Sequence, residues 1–118
     1  LAYNNRGLAK QKSGDLQGGI DDYNKAIEND PNLALAYYNR GLAKQNSGDL
    51  QGAIDDYSKA IENDPNLALA YNNRGLAKQS LGDAQSACVD VKKAGSLGHQ
   101  PIAQWLNSVD GAWCRNMR

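Results

Sequence analysis

Paired carboxylates are the residues here with the most evident chemical potential. Asp21-Asp22 and Asp55-Asp56 stand 34 positions apart, and each pair follows an arginine and lysine at i, i+4: Arg6/Lys10 and Arg40/Lys44. Adjacent aspartates could hold a cation. Yet a bare Asp-Asp on a helix lacks the alternating oxygen ligands of a calcium loop. The Arg/Lys pairs, repeated at Arg74/Lys78, fall on a stripe that should face a neighbouring helix, where an unpaired buried charge is costly. The expected arrangement is structural. The aliphatic stems pack, and the heads reach the Asp21/Asp22 and Asp55/Asp56 carboxylates or solvent.

Other chemistry finds little support. His99, the single histidine, sits in a Gly-His-Gln-Pro turn with no second imidazole, so no metal site is expected. Gly14-Asp15-Leu16-Gln17-Gly18-Gly19 lacks the lysine and preceding strand of a phosphate loop. No nucleophile–base set has a favouring context, so neither catalysis nor a cofactor is expected. Cys88 and Cys114 allow one disulfide. Because Cys88 replaces an isoleucine-type position, the favoured reading is a buried small apolar side chain.

Composition narrows the classes further. Thirteen basic and thirteen acidic residues in 118 cancel, leaving no electrostatic footprint for nucleic acid. No run is long and apolar enough to insert in a membrane or to serve as a signal-peptide core, so a cytoplasmic location is expected. The chain opens at Leu1 on a segment that elsewhere follows an Asp-Pro-Asn-Leu-Ala connector, which reads as a fragment of a longer array.

What must position these residues is a repeat. Residues 1–34 and 35–68 differ at four places only, Asn4/Tyr38, Lys12/Asn46, Gly19/Ala53 and Asn24/Ser58, and a diverged third copy opens at Leu69. A unit this short cannot bury its own apolar face, so copies must stack. In the middle copy Ala36, Tyr37, Gly41 and Ala43 recur at helical spacing. Asn32 and Asn66 are placed to cap first helices, Gly48 to end one, and Asp49 to cap the next. Ala53, Tyr57 and Ala60 make a buried stripe, with Ile54 and Ile61 beside it, up to Asp64-Pro65.

These residues resemble the tetratricopeptide repeat (TPR) pattern: period 34, an aromatic before Gly7, Gly41 and Gly75, then Ala53/Tyr57, Ala60 and Pro65. The chain departs from it at the Arg/Lys positions, at Gly19, and where the third copy loses its proline. The resemblance implies an all-α fold, a right-handed superhelical solenoid of three helix-turn-helix units in one domain spanning 1–118. Repeats fall at about 1–33, 34–67 and 68–98. Pro101 suits the first turn of a further helix, and Ile102, Trp105, Leu106 and Val109 form an amphipathic stripe. A C-terminal capping helix is expected over about 101–110. The tail 111–118 has no period; Trp113 either folds back on the cap or is a short recognition segment.

The resemblance also implies where ligands bind, on a concave face lined by first helices. The inward row is then Asn4, Asn5, Leu8, Gln11 and Lys12 in copy one. In copy two it is Leu35, Tyr38, Asn39, Leu42, Gln45 and Asn46, and in copy three Leu69, Asn72, Asn73, Leu76 and Gln79. Carboxamides both donate and accept, so such a row suits a peptide backbone, and Tyr38 is the expected anchor. TPR domains that clamp a chaperone's terminal carboxylate use lysines, arginine and asparagines here. Only Asn39 matches, with Asn4, Leu8, Leu69 and Asn73 at the other clamp positions. The function expected is a scaffold or adaptor binding a peptide or protein segment. The alternatives are a structural repeat that mainly self-associates and a non-catalytic part of a larger protein. A weak homodimer through the N-terminal repeat, where Ala2 and Ala9 lack a preceding partner, is also expected.

Overall fold

The computed structural model describes residues 2–106 and 111–115, the last by its backbone alone. Every element among them is an α-helix: α1 (Ala2–Lys12), α2 (Leu16–Asn29), α3 (Ala34–Asn46), α4 (Leu50–Asn63), α5 (Ala68–Ser80), α6 (Ala84–Ser96), α7 (Gln100–Leu106) and α8 (Ala112–Arg115). They fall into two units, Leu1–Pro65 with α1–α4 and Asn66–Arg118 with α5–α8.

Local chemistry sets the boundaries. Gly14, Gly48 and Gly82 take φ of 94°, 91° and 90° between the two helices of each copy, a left-handed turn that glycine enters without steric cost. Asp15, Asp49 and Asp83 follow at once, and each accepts a hydrogen bond from the backbone N–H three residues on, at 2.9, 3.0 and 3.2 Å. These are the expected second-helix caps. The first helices behave differently from expectation. Leu33 and Leu67, not Asn32 and Asn66, occupy the N-cap positions of α3 and α5, without a side-chain cap. The connector explains Asn32: its N–H donates to Asp30 Oδ1 at 3.1 Å, so it belongs to the turn.

Within each hairpin the helices close on small residues. Ala53, Tyr57 and Ala60 on α4 are fully buried, as are Ala36 and Ala43 on α3. Gly41 is a close approach of this kind. A Cβ there would lie 2.7 Å from Tyr57 Cε1, and at Gly7 the equivalent distance to Tyr23 is 2.6 Å. Glycine is thus required because a tyrosine ring occupies the space a methyl group would need. Burial raises both phenols, Tyr23 to about 12 and Tyr57 further. Each donates instead to a first-helix glutamine, Tyr23 to Gln11 Oε1 at 2.8 Å and Tyr57 to Gln45 Oε1 at 2.6 Å.

In the second unit α7 packs on α6, with Ile102, Trp105 and Leu106 against the buried Val91 and Cys88. The cap helix is described from Gln100 to Leu106; positions 107–110 of the expected span, with Val109, lie outside the described residues. Cys88 is buried as expected, and the disulfide the sequence left open is formed. Cys88 and Cys114 are bonded, with their Cα atoms 5.3 Å apart, and Cys114 is fully buried. The segment after Gly111 therefore returns to α6 through α8, and Trp113 folds back edge-on to Trp105, ring centres 6.0 Å apart.

The glycines make opposed predictions. Gly41→Ala should destabilise the chain by about 1–3 kcal/mol, the usual cost of overpacking. Gly19 occupies the place of Ala53, which copy two accommodates, so Gly19→Ala should stabilise by up to about 1 kcal/mol through helix propensity. Chemical denaturation of the two variants checks both signs.

Candidate functional site

Apart from Lys12, the charged residues of the first helices are committed to structure. Asp22 is 1% exposed, yet its carboxylate takes hydrogen bonds from Arg6 Nη2 at 2.7 Å and Nε at 2.8 Å, and Lys10 Nζ lies 3.2 Å away. Asp56 is held in the same way by Arg40 and Lys44, and Asp90 by Arg74 and Lys78, with Nη2–Oδ1 distances of 2.7 Å. Two parallel N–H···O bonds from a planar guanidinium are the strong geometry for a carboxylate. Of each adjacent aspartate pair only the second is used. Asp21 and Asp55 are exposed and accept from Gln17 and Gln51 on their own helices. Each arginine also lies over the ring three residues before it, Arg40 at 5.6 Å from the Tyr37 centroid. Among the described residues no group of three or more His, Cys, Asp or Glu is placed to hold a metal ion.

The inward row divides by exposure. In the first unit Asn5, Lys12, Leu35 and Asn46 are exposed, while Leu8, Gln11, Tyr38, Leu42 and Gln45 are half-buried. Asn4 and Asn39 depart from expectation. They are 4% and 7% exposed, and Asn39 Nδ2 donates to Asn4 Oδ1 at 2.9 Å, so these carboxamides join α1 to α3 and are not offered open to a ligand. A second such link runs from Arg40 Nη1 to Asn24 Oδ1 at 2.8 Å. Tyr38 leans on Tyr57, ring centres 5.8 Å apart and tilted by 43°. Ala2 and Ala9 are exposed, whereas their counterparts Ala36 and Ala43 are fully buried.

In the second unit Leu69, Leu76 and Gln79 are exposed, and Asn72 and Asn73 are half-buried. Three of these meet the cap. A cavity of about 250 Å³ is lined by Asn72, Leu76 and Gln79 of α5, Val91 of α6, Ile102 and Trp105 of α7, and Trp113 of α8. Val91, Ile102 and Trp105 read from the sequence as packing residues, and Trp113 as either cap packing or a recognition segment. Val91, Ile102 and Trp105 meet where α7 packs on α6, and Trp113 joins them on α8, which the disulfide ties to α6.

With this geometry in hand, comparison with known proteins is decisive for the family. Tetratricopeptide repeat models match residues 1–33, 34–67 and 57–89. The chain belongs to the tetratricopeptide repeat family. Among solved structures, the second TPR of Spaghetti (RPAP3), bound to the HSP90 peptide SRMEEVD, is 28% identical with a TM-score of 0.80, over 81% of this chain and 89% of that one. MamA is 31% identical, TM-score 0.80, over 86% of this chain, which spans 60% of the MamA chain. The first TPR of Spaghetti, with the same peptide, is 24% identical with a TM-score of 0.81, over 91% of this chain and 92% of that one, a likeness of fold. No curated protein matches the chain.

The carboxylate clasps imply a pH dependence. Hydrogen bonds from Arg6 hold the Asp22 carboxyl well below the usual carboxylate range; burial opposes them, and Lys10 adds to them. A depressed folded-state value contributes stability that is complete above the unfolded value near 4 and is lost as pH falls below it. Asp22→Asn should therefore melt well below the wild type at pH 7, and the gap should narrow between about pH 5 and pH 2. Thermal melts of both proteins across that range make the comparison.

Proposed function

We propose that the chain is a protein-interaction module, a scaffold or adaptor unit whose first helices hold a peptide or protein segment. The observation that carries this reading is the division of labour on those helices. The arginines and lysines of the clasp turn toward the second helices and are neutralised there. What remains toward the ligand is leucine, carboxamide and Tyr38, with Lys12 the only charged member of the row. Leucines 8 and 42 supply apolar contact, and the exposed carboxamides of Asn5 and Asn46 can pair with a peptide main chain without reading its side chains. Peptide binding by a structural neighbour, the second TPR of Spaghetti, supports the class of function.

The chemistry of the partner should differ from that neighbour's. SRMEEVD is acidic, and a terminal carboxylate needs several free cations around it. The row carries one, Lys12. The segment favoured here is uncharged and apolar, anchored by contact with Tyr38. Self-association through Ala2 and Ala9 is a second reading, motivated by their exposure where Ala36 and Ala43 are buried.

Panning a random dodecapeptide display library on the chain, beside SRMEEVD as a probe, tests the proposal. Uncharged, apolar peptides should be recovered, SRMEEVD should bind more weakly than they do, and Tyr38→Ala should weaken the recovered peptides by about 1–3 kcal/mol. Recovered peptides indifferent to Tyr38 would place recognition elsewhere.

A further inference from the structure

We propose that α8 is a redox-controlled strap: the Cys88–Cys114 bond latches it onto α6 and α7, and reduction of that bond by a dithiol releases it while the repeats stay folded. The inference stands apart from the peptide-binding reading.

The bond is the principal hold on α8. Ala112–Arg115 is four residues long, far short of the roughly 12–15 that a helix needs to persist alone in water. Trp113 meets Trp105 only edge-on and stays 36% exposed, so docking covers its ring in part. The cap helix α7 is anchored without the bond. Its Ile102, Trp105 and Leu106 pack against the core of the unit, and Leu106 closes on Gly95, where a Cβ would lie 3.1 Å from Leu106 Cδ1. Release of α8 therefore leaves α7 its own contacts.

The repeat shows what the strap covers. Cys88 stands at the place of Ile20 and Ile54, which are half-buried, yet Cys88 itself is buried and Cys114 supplies part of that cover. Lifting α8 bares Cys88 and the Trp105 ring. It also removes Trp113 from the cavity it shares with Leu76 and Gln79 of the inward row. The surface beside those two residues then differs between the oxidised and reduced chains.

The exchange balances with a dithiol as co-reactant. One reductant thiolate attacks a sulfur and forms a mixed disulfide, and the other cysteine leaves as a thiolate that takes up a proton. The second reductant thiolate displaces the remaining cysteine, so two electrons enter the protein and the reductant ends as its own disulfide. Both cysteines are shut off from solvent, so attack follows local opening of α8. Once reduced, the sulfurs must part to nonbonded contact in a closely packed site, and the short α8 is the element that yields.

The test compares the full chain oxidised and after treatment with dithiothreitol, by amide hydrogen exchange and by the indole N–H signals of Trp105 and Trp113 in ¹H–¹⁵N NMR. Reduction should speed exchange of the Cys114 amide, which donates to Gly111 O at 3.1 Å, by roughly tenfold or more. Both indole signals should shift, α5 amides should stay within about twofold, and oxidised dithiothreitol should restore the first state. Cys88→Ile, which returns the isoleucine of the other copies, should show the released state without reductant. Unchanged Cys114 exchange and unmoved indole signals in the reduced wild-type chain would mean that packing alone holds α8. Exchange accelerating equally through α5, α6 and α8 would make the bond a staple of the whole unit. Either result overturns the proposal. The wild-type comparison needs no variant, so it stands if Cys88→Ile fails to fold.

Discussion

Each repeat is organised around a buried aspartate clasped by two cations from the facing helix. Asp22, Asp56 and Asp90 are each almost completely excluded from solvent, a position a lone carboxylate cannot hold without several kcal/mol of desolvation cost. Arg and Lys one helical turn apart meet it from the same side, and the bidentate guanidinium fixes both distance and angle. Sliding one helix along the other would strand a charge. The clasp therefore specifies register, and the glycine–tyrosine contact beside it specifies separation. Gly7 and Gly41 let the tyrosine rings approach as no other residue would.

This arrangement explains why the first helices are so polar in sequence and so restrained in character toward a ligand. Their cations other than Lys12 are consumed inward. Gln11 and Gln45 accept from buried tyrosines, and Asn4, Asn24, Asn39 and Arg40 tie copy one to copy two. Two of the four differences between those copies acquire reasons here. Asn24 provides an acceptor for Arg40, and Asn4 provides one for Asn39, while Tyr38 at the matching place in copy two rests on Tyr57. Near-identical copies thus perform different local tasks. The surface left over on the predicted row is leucine and carboxamide with Tyr38, the chemistry on which the proposed peptide-binding reading rests.

Most of the fold was legible because the period carries it. A 34-residue spacing aligns every glycine turn, aspartate cap and buried alanine–tyrosine stripe, so error in one copy is corrected by another. Helix starts were less legible. Asn32 looks like a cap, but Asp30 two residues earlier captures its N–H. Which aspartate of each pair is clasped was hidden too, since adjacent residues on a helix point about 100° apart and only the packed angle chooses Asp22 over Asp21. The burial of Asn39 depends on a neighbour in the preceding copy. The disulfide and the cavity were least legible of all, because the tail has no period and its return to α6 leaves no pattern between Cys88 and Cys114.

The clasp is tested most directly by a double-mutant cycle on Arg40 and Asp56 in the full chain, with unfolding free energies from denaturant titration. Arg40→Ala leaves the buried Asp56 to Lys44 alone, and Asp56→Ala leaves Arg40 without its bidentate carboxylate, so the double variant should be less destabilised than the sum of the singles, by about 1–3 kcal/mol. Strict additivity, with no coupling beyond about 0.5 kcal/mol, would show that the two helices are held in register by something other than this ion pair.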